Sequence, residues 1–276
     1  MLKNIRLSFQ KAVNNGLFAL VADGVHKLNP RSKRHAPVRM EEGQLYTIHG
    51  VCRGGFEAAI NAAIAVFPLS SVEGCGWHLT QAWVRNRNRL GLRRFVQGDR
   101  RDPRVIHWWR TLKGLPFLPR DHFHLVSALT VVPVEPTHPA YEPCQNFLDY
   151  FNRTWLNGPS ESMWCKYLVK ELRTTNLAEN FHGRLRGLFS GRKHPKFNAL
   201  ITMLQEITGV AASRLNRMAE FPEEMRPLRA RDRARREKTE GAMAAFARIQ
   251  GLRYVTTAVV GRYCRKMSRY TSDRAI

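Results

Sequence analysis

Acidic residues are scarce in this chain: 22 Asp and Glu stand against 45 Lys and Arg over 276 residues, leaving a formal charge of +23. Such a surplus favours a polyanionic partner, because each Lys or Arg that neutralises a phosphate also releases condensed counterions. A solvated basic surface, or a place within a larger assembly, is the other reading of the same charge. Cysteine is sparse as well. The five present (Cys52, Cys75, Cys144, Cys165 and Cys264) are odd in number and widely scattered, which argues against a disulfide framework and for a reducing compartment. Long apolar runs are missing: Leu17 to Ala22, the longest near the N-terminus, is too short for a signal-peptide core or a membrane span. No amphipathic or lipidation signal accompanies the charge, so nucleic acid is favoured over a membrane surface. The expected location is nuclear or cytoplasmic, not secreted. Internal repeats and long low-complexity tracts are also absent.

What is present is ordinary for a globular protein. Hydrophobic residues make up 43% and charged residues 24%, enough for a sizeable core in one large domain or two modest ones. Leu17 to Val21 reads as a strand followed by a turn at Asp23-Gly24, then a charged loop from Pro30 to His35. Gln44 to His49 is a second strand candidate. Glu57 to Phe67 is alanine-rich and helical in spacing, stopped by Pro68, and Ser71 to Glu73 suits a short strand. His78 to Leu90 has the look of a basic helix, with apolar positions among its arginines. Strand, helix, strand, helix is the order of an α/β sheet core.

From Asp102 to Leu172 the pattern is mostly helical, with breaks at Pro116–Pro119 and Val132–Pro143. Phe147, Tyr150, Phe151, Trp155 and Leu156 fit one apolar helix face. Thr174 to Phe189 is amphipathic, with Leu177, Phe181, Leu185 and Leu188 on one side. Pro195 opens a helix carrying Phe197, Leu200, Ile201, Leu204 and Ile207. These stripes read as core. Arg226 to Lys238 then holds seven basic residues against Asp232 and Glu237, and runs into a helix that includes Phe246, Ile249 and Leu252. DNA-backbone contact or nuclear import is one reading of that run, and a solvated helix face is the other.

Three stretches together resemble the transposase domain of Mutator-like elements (MULE). They are Gln44 to Gly50, Phe56 through Gly74-Cys-Gly-Trp-His-Leu-Thr-Gln81 to Leu92, and Arg173-Thr-Thr-Asn-Leu-Ala-Glu-Asn-Phe-His182 with His194-Pro195 beyond. The likeness covers roughly residues 44 to 210. Ser8-Phe9 through Asp23-Gly24 to His35 resembles a FLYWCH-type zinc finger whose later Cys and His ligands are missing. The resemblance implies an α/β fold: a truncated RNase H-like sheet core with a large helical insertion at about 100–172 and a helical C-terminal part. The expected division is a basic segment 1–40, a transposase-like domain 41–220 and a basic helical tail 221–276.

In that family two Asp and one Glu hold two divalent metals, Mg²⁺ or Mn²⁺, for in-line phosphoryl transfer. Glu179 stands where the family places its glutamate; with Asn176 it also has capping-box spacing. The second acid is replaced by Gly55, which offers no side-chain oxygen, and Glu57 reads as a helix-N-terminal acid. Asp23 resembles the family's leading Asp-Gly pair, and equally fits the zinc-finger-like remnant or a hairpin turn. Cys75 and His78, a family feature, have the spacing of half a zinc site without an evident second half.

The expected partner is double-stranded DNA, with a homodimer open as an assembly and no membrane partner. The expected contacts are Arg85, Arg87 and Arg89, then Arg184, Arg186, Arg192 and Lys193 around Glu179, and then Arg229, Arg231, Arg233, Arg235 and Arg236 in the tail. Trp108 and Trp109 suit base stacking or, better, buried packing. The leading functional expectation is a catalytically impaired, transposase-derived DNA-binding protein. An active metal-dependent transposase and a non-enzymatic RNA- or protein-binding scaffold are the alternatives.

Overall fold

Among the described residues, apolar positions recur at three- and four-residue intervals in most elements, and these fold as helices that bury their stripes. In the computed structural model the backbone is described for residues 19–25, 45–51, 74–158, 161–167, 176–190, 194–221, 230–252 and 254–271, with the single positions 28, 30, 32, 39 and 169. The elements are β1 (Ala19–Val25), β2 (Leu45–Val51), α1 (Gly76–Arg89), α2 (Arg93–Val96), α3 (Pro103–Gly114), α4 (Tyr141–Phe151), α5 (Asn176–Leu188), α6 (Phe197–Glu220), α7 (Ala230–Leu252) and α8 (Thr257–Met267). They divide between two discontinuous units. One comprises Met1–Ser70 and Thr175–Pro227, the other Ser71–Thr174 and Leu228–Ile276.

In the first unit β1 and β2 pair antiparallel, Asp23 opposite Thr47 and Gly24 opposite Tyr46. Asp23-Gly24 therefore continues the strand, where the sequence suggested a turn. The backbone of α5 lies against β1. Helix α5 buries His182 and Leu185, whereas Leu188 at its end is exposed. Helix α6 buries Leu200 and leaves Phe197 and Val210 largely exposed.

The second unit holds the main core. Asp102 caps α3, its carboxylate accepting from the Arg104 N–H at 2.7 Å, and Pro103 occupies the first helical turn. Val105, Trp108, Trp109 and Leu112 then recur at i, i+3, i+4 and i+7, and all are buried. Helix α8 presents Val260, Tyr263, Cys264 and Met267 at the same spacing and packs on α3. The two backbones approach closely at Gly114, where a Cβ would overlap the carbonyl oxygen of Cys264. Tyr263 donates its hydroxyl to the Phe117 carbonyl at 2.6 Å and stacks on Phe246 of α7 at 4.1 Å between ring centroids. Trp83 of α1 is fully buried, edge-on to Phe151 (4.9 Å) and Trp164 (5.7 Å).

The expected α/β fold, a truncated RNase H-like sheet core, is overturned. The fold is helical, and among the described residues the only strand pairing is β1–β2. The physical reason lies in the period of the buried positions: from Leu79 to Phe151 they follow a helical repeat, so the core closes helix against helix. The stretch 100–172, expected as an insertion into a sheet domain, is instead a principal part of the second unit's core, together with α7 and α8. The helix expected at 57–67 and the strand at 71–73 lie outside the described residues.

Candidate nucleic-acid interface

Helix α1 sorts its charges by geometry. Leu79, Trp83, Val84 and Arg87 face inward, while His78, Arg85 and Arg89 are exposed along the other side at i, i+7 and i+11. The exposed series continues beyond the helix. Gly91, with φ of 76°, makes the left-handed turn after α1, and Arg93 and Arg94 on α2 and then Arg100 and Arg101 are exposed. Between residues 84 and 113 the sequence has ten Lys and Arg against two Asp. One of those two, Asp102, is already paired with Arg104 at 2.8 Å. Among the described residues no ion-pair partner meets Arg85, Arg89 or Arg93. Their positive potential therefore faces solvent.

Arg87 is the exception among the arginines expected to touch DNA. It is 1% exposed, its guanidinium lies 5.0 Å from the Trp109 ring centroid, and its Nε and Nη2 donate to Asn88 Oδ1 at 3.0 and 2.8 Å. Its charge is spent inside the core, where the ring face and the amide oxygen replace water. Trp108 and Trp109 are likewise buried, at 4% and 1% exposure, and are not surfaces for bases to stack on.

The tail arginines divide in a similar way. On α7, Arg231, Arg233 and Arg235 are exposed, with Arg231 3.9 Å from Asp232. Arg235 donates to the Tyr270 carbonyl at 2.6 Å, which anchors it without neutralising it. Arg236 is paired with Glu240 at 3.0 Å, so its charge is largely answered within the helix. Arg229 lies outside the described residues. In the first unit Arg184 and Arg186 are exposed on α5, Arg186 reaching back to the His182 carbonyl at 3.4 Å. Arg192 and Lys193 also lie outside the described residues.

The positions expected to carry metal chemistry are placed only in part. Glu179 is in the first turn of α5 and Asp23 is in β1, so the elements bearing them adjoin; neither side chain is among those described. Gly55 lies outside the described residues. Cys75 precedes α1 in extended conformation and His78 is exposed in its first turn. Among the described residues no group of three His, Cys, Asp or Glu side chains is placed to hold a metal ion. No helix among them is long and apolar enough to cross a membrane.

Electrostatic perturbation follows packing. The side-chain hydrogen bond from Arg104, opposed in part by burial, holds the Asp102 carboxyl down at about 2. Burial pushes the thiols of Cys144 and Cys264 up to about 12 and raises the Tyr150 hydroxyl. None of these groups belongs to the exposed arginine series.

Sequence reasoning missed Arg93, Arg94, Arg100 and Arg101, although their density was visible. The missing signal was where the helix breaks: Gly91 turns the chain and leaves these arginines outside. Comparison with protein-family models, with curated proteins and with solved structures finds no match to this chain.

Proposed function

We propose that this protein binds duplex DNA through the exposed arginines of α1 and α2, and that it descends from a Mutator-like transposase with an impaired acid set. The observation that carries the binding reading is the Arg85, Arg89, Arg93 and Arg94 series, exposed and set among few acids. Phosphate contact of this kind is independent of sequence and steeply dependent on salt. The descent rests on the three motif stretches and on Gly55 in place of the second acid.

Fluorescence anisotropy with a labelled duplex between 50 and 200 mM salt tests the binding, taking those concentrations as roughly the range over which counterion release is resolved. Replacing Arg85 and Arg89 together by Gln should flatten the slope of log K against log salt by about 1.8, or about 0.9 per phosphate contact. A wild-type protein that ignores duplex DNA at low salt, or a variant with an unchanged slope, refutes the reading.

A second reading, metal-dependent strand cleavage, is favoured by one observation: α5, which carries Glu179, lies against β1, which carries Asp23. Mn²⁺-dependent nicking of plasmid DNA that disappears in Glu179→Ala is its signature. Protein that binds duplex DNA without nicking it leaves the binding reading alone.

A further inference from the structure

A cleft of about 500 Å³ opens in the second unit between α8, the end of α3 and the segment around Val126. Leu125, Val126 and Ala258 supply its apolar wall, and Arg262 and Arg265 supply charge. No carboxylate lines it. Among the described residues neither guanidinium has an ion-pair or hydrogen-bond partner, and Arg265 is half-buried. Both guanidiniums are open to an incoming oxyanion, which would gain charge-assisted hydrogen bonds from them.

The wall is shaped for the guanidinium. A Cβ at Gly261 would stand 3.1 Å from Arg265 Nη1, tighter than ordinary contact, so the glycine lets this arginine fold back along α8. Of the hydroxyls at the rim, Thr111 is committed as a donor to the His107 carbonyl at 2.8 Å. Ser127 and Thr257 also line the cleft and carry hydroxyls able to donate to an anion. Two forked cations, two hydroxyls and an apolar wall match a phosphate with a sugar beside it, whereas an acidic peptide would leave the apolar wall unused.

We infer that this cleft holds one backbone phosphate of the bound nucleic-acid strand, with its sugar against Leu125 and Val126, and so fixes the strand's register on the protein. The inference rests on the DNA-binding reading and adds a defined phosphate seat to it.

The test compares two double variants of equal charge change, on α8 and the turn that directly follows it. Arg262→Gln/Arg265→Gln empties the cleft of cations, whereas Lys266→Gln/Arg269→Gln removes two charges that do not line it. Both are checked by circular dichroism and titrated with labelled duplex across salt. The cleft variant should lose about tenfold or more in affinity and about 0.9 in salt slope, as for one lost phosphate contact. The control should stay within about threefold of wild type, as for screened surface charges.

Equal losses in the two variants, or no loss in the cleft variant, overturn the inference while leaving DNA binding intact. A wild-type protein that fails to bind duplex refutes the DNA reading itself. In a separate arm, inorganic phosphate is titrated against chloride at matched ionic strength, followed by thermal melting. Stabilisation that needs Arg262 and Arg265 supports the seat. Stabilisation by free phosphate with duplex affinity unchanged in the cleft variant marks a small-anion site and overturns strand occupancy.

Discussion

Gly114→Ala is the substitution in which two effects of opposite sign meet at one atom. Gly114 ends α3 with φ −84° and ψ −13°, a conformation any residue adopts, so backbone strain plays no part. On propensity alone, alanine in a helix is worth about 0.5–1 kcal/mol over glycine. Packing decides otherwise. The new Cβ falls within the contact radius of the Cys264 carbonyl oxygen, carbonyl carbon and Cα, all backbone atoms of α8. No rotamer change can relieve this, so α3 and α8 must part by on the order of 1 Å to restore ordinary non-bonded distances of about 3.5 Å. Overpacking of this kind costs about 1–3 kcal/mol, and contact with rigid backbone belongs at the upper end. The expected net loss is about 2 kcal/mol.

Gly241→Ala is the matched control, since its Cβ meets nothing within 4 Å on α7. It should gain about 0.5–1 kcal/mol. Urea unfolding followed by tryptophan fluorescence reads both, because all six tryptophans fall between residues 77 and 164 and report on the second unit. The midpoint should move in opposite directions with the m-value unchanged. Gly114→Ala equal to or more stable than Gly241→Ala would refute the close α3–α8 crossing.

Three further outcomes follow from the same structure. Arg87→Met removes a buried guanidinium from Trp109 and Asn88 and should cost about 1–3 kcal/mol in urea unfolding; it should leave the salt slope of DNA binding untouched, and the opposite pair of results would put Arg87 at the surface. Asp102, held down at about 2 by Arg104, contributes stability that is present above its unfolded-state value near 3.8 and is lost as pH falls from there toward 2. Asp102→Asn should therefore flatten the acid limb of a melting-temperature profile in that window, and an unchanged limb counts against the pairing. Cys144 and Cys264, their thiols pushed up to about 12 by burial, should resist iodoacetamide at pH 8 in the native protein and react on unfolding. Rapid native labelling, read by peptide mass spectrometry, would contradict the packing around them.

Helical segments were legible where the period was long enough. The basic helix expected over 78–90 is α1, and the amphipathic runs at 174–189 and after Pro195 are α5 and α6. The arginines at 85, 87 and 89 look equivalent when written out. At about 100° per residue, however, Arg87 falls four positions from Trp83 and turns inward with it, while Arg85 and Arg89 turn out. The two strands were also legible as local patterns. Sheet assembly was not, because it depends on which segments pair at long range, and among the described residues β1 and β2 pair only with each other.

Helix α8 was expected only as part of a basic helical tail over 221–276, without its buried face, although Val260, Tyr263, Cys264 and Met267 have a buried helix's spacing. The closeness of Gly114 to Cys264 has no local signature at all, since a glycine at a helix end is usually explained by the turn. The Arg262–Arg265 pair was hidden for a similar reason: nothing within the tail announces the wall that faces it from residues 111 and 125–127.

The split of the second unit into residues 71–174 and 228–276 has a consequence for biosynthesis. The Phe117 carbonyl waits for the Tyr263 hydroxyl across 146 residues of chain. At a ribosomal rate of about 5–20 residues per second, that is a delay of roughly 7–30 s. Throughout it Leu112, Leu115 and Phe117 have no α8 to cover them, while an entire segment of the other unit emerges in between. A chain halted anywhere before residue 257 leaves that apolar seam uncovered. The closing helix thus reports that synthesis has passed residue 267, and copies halted before it should be the ones that chaperones hold.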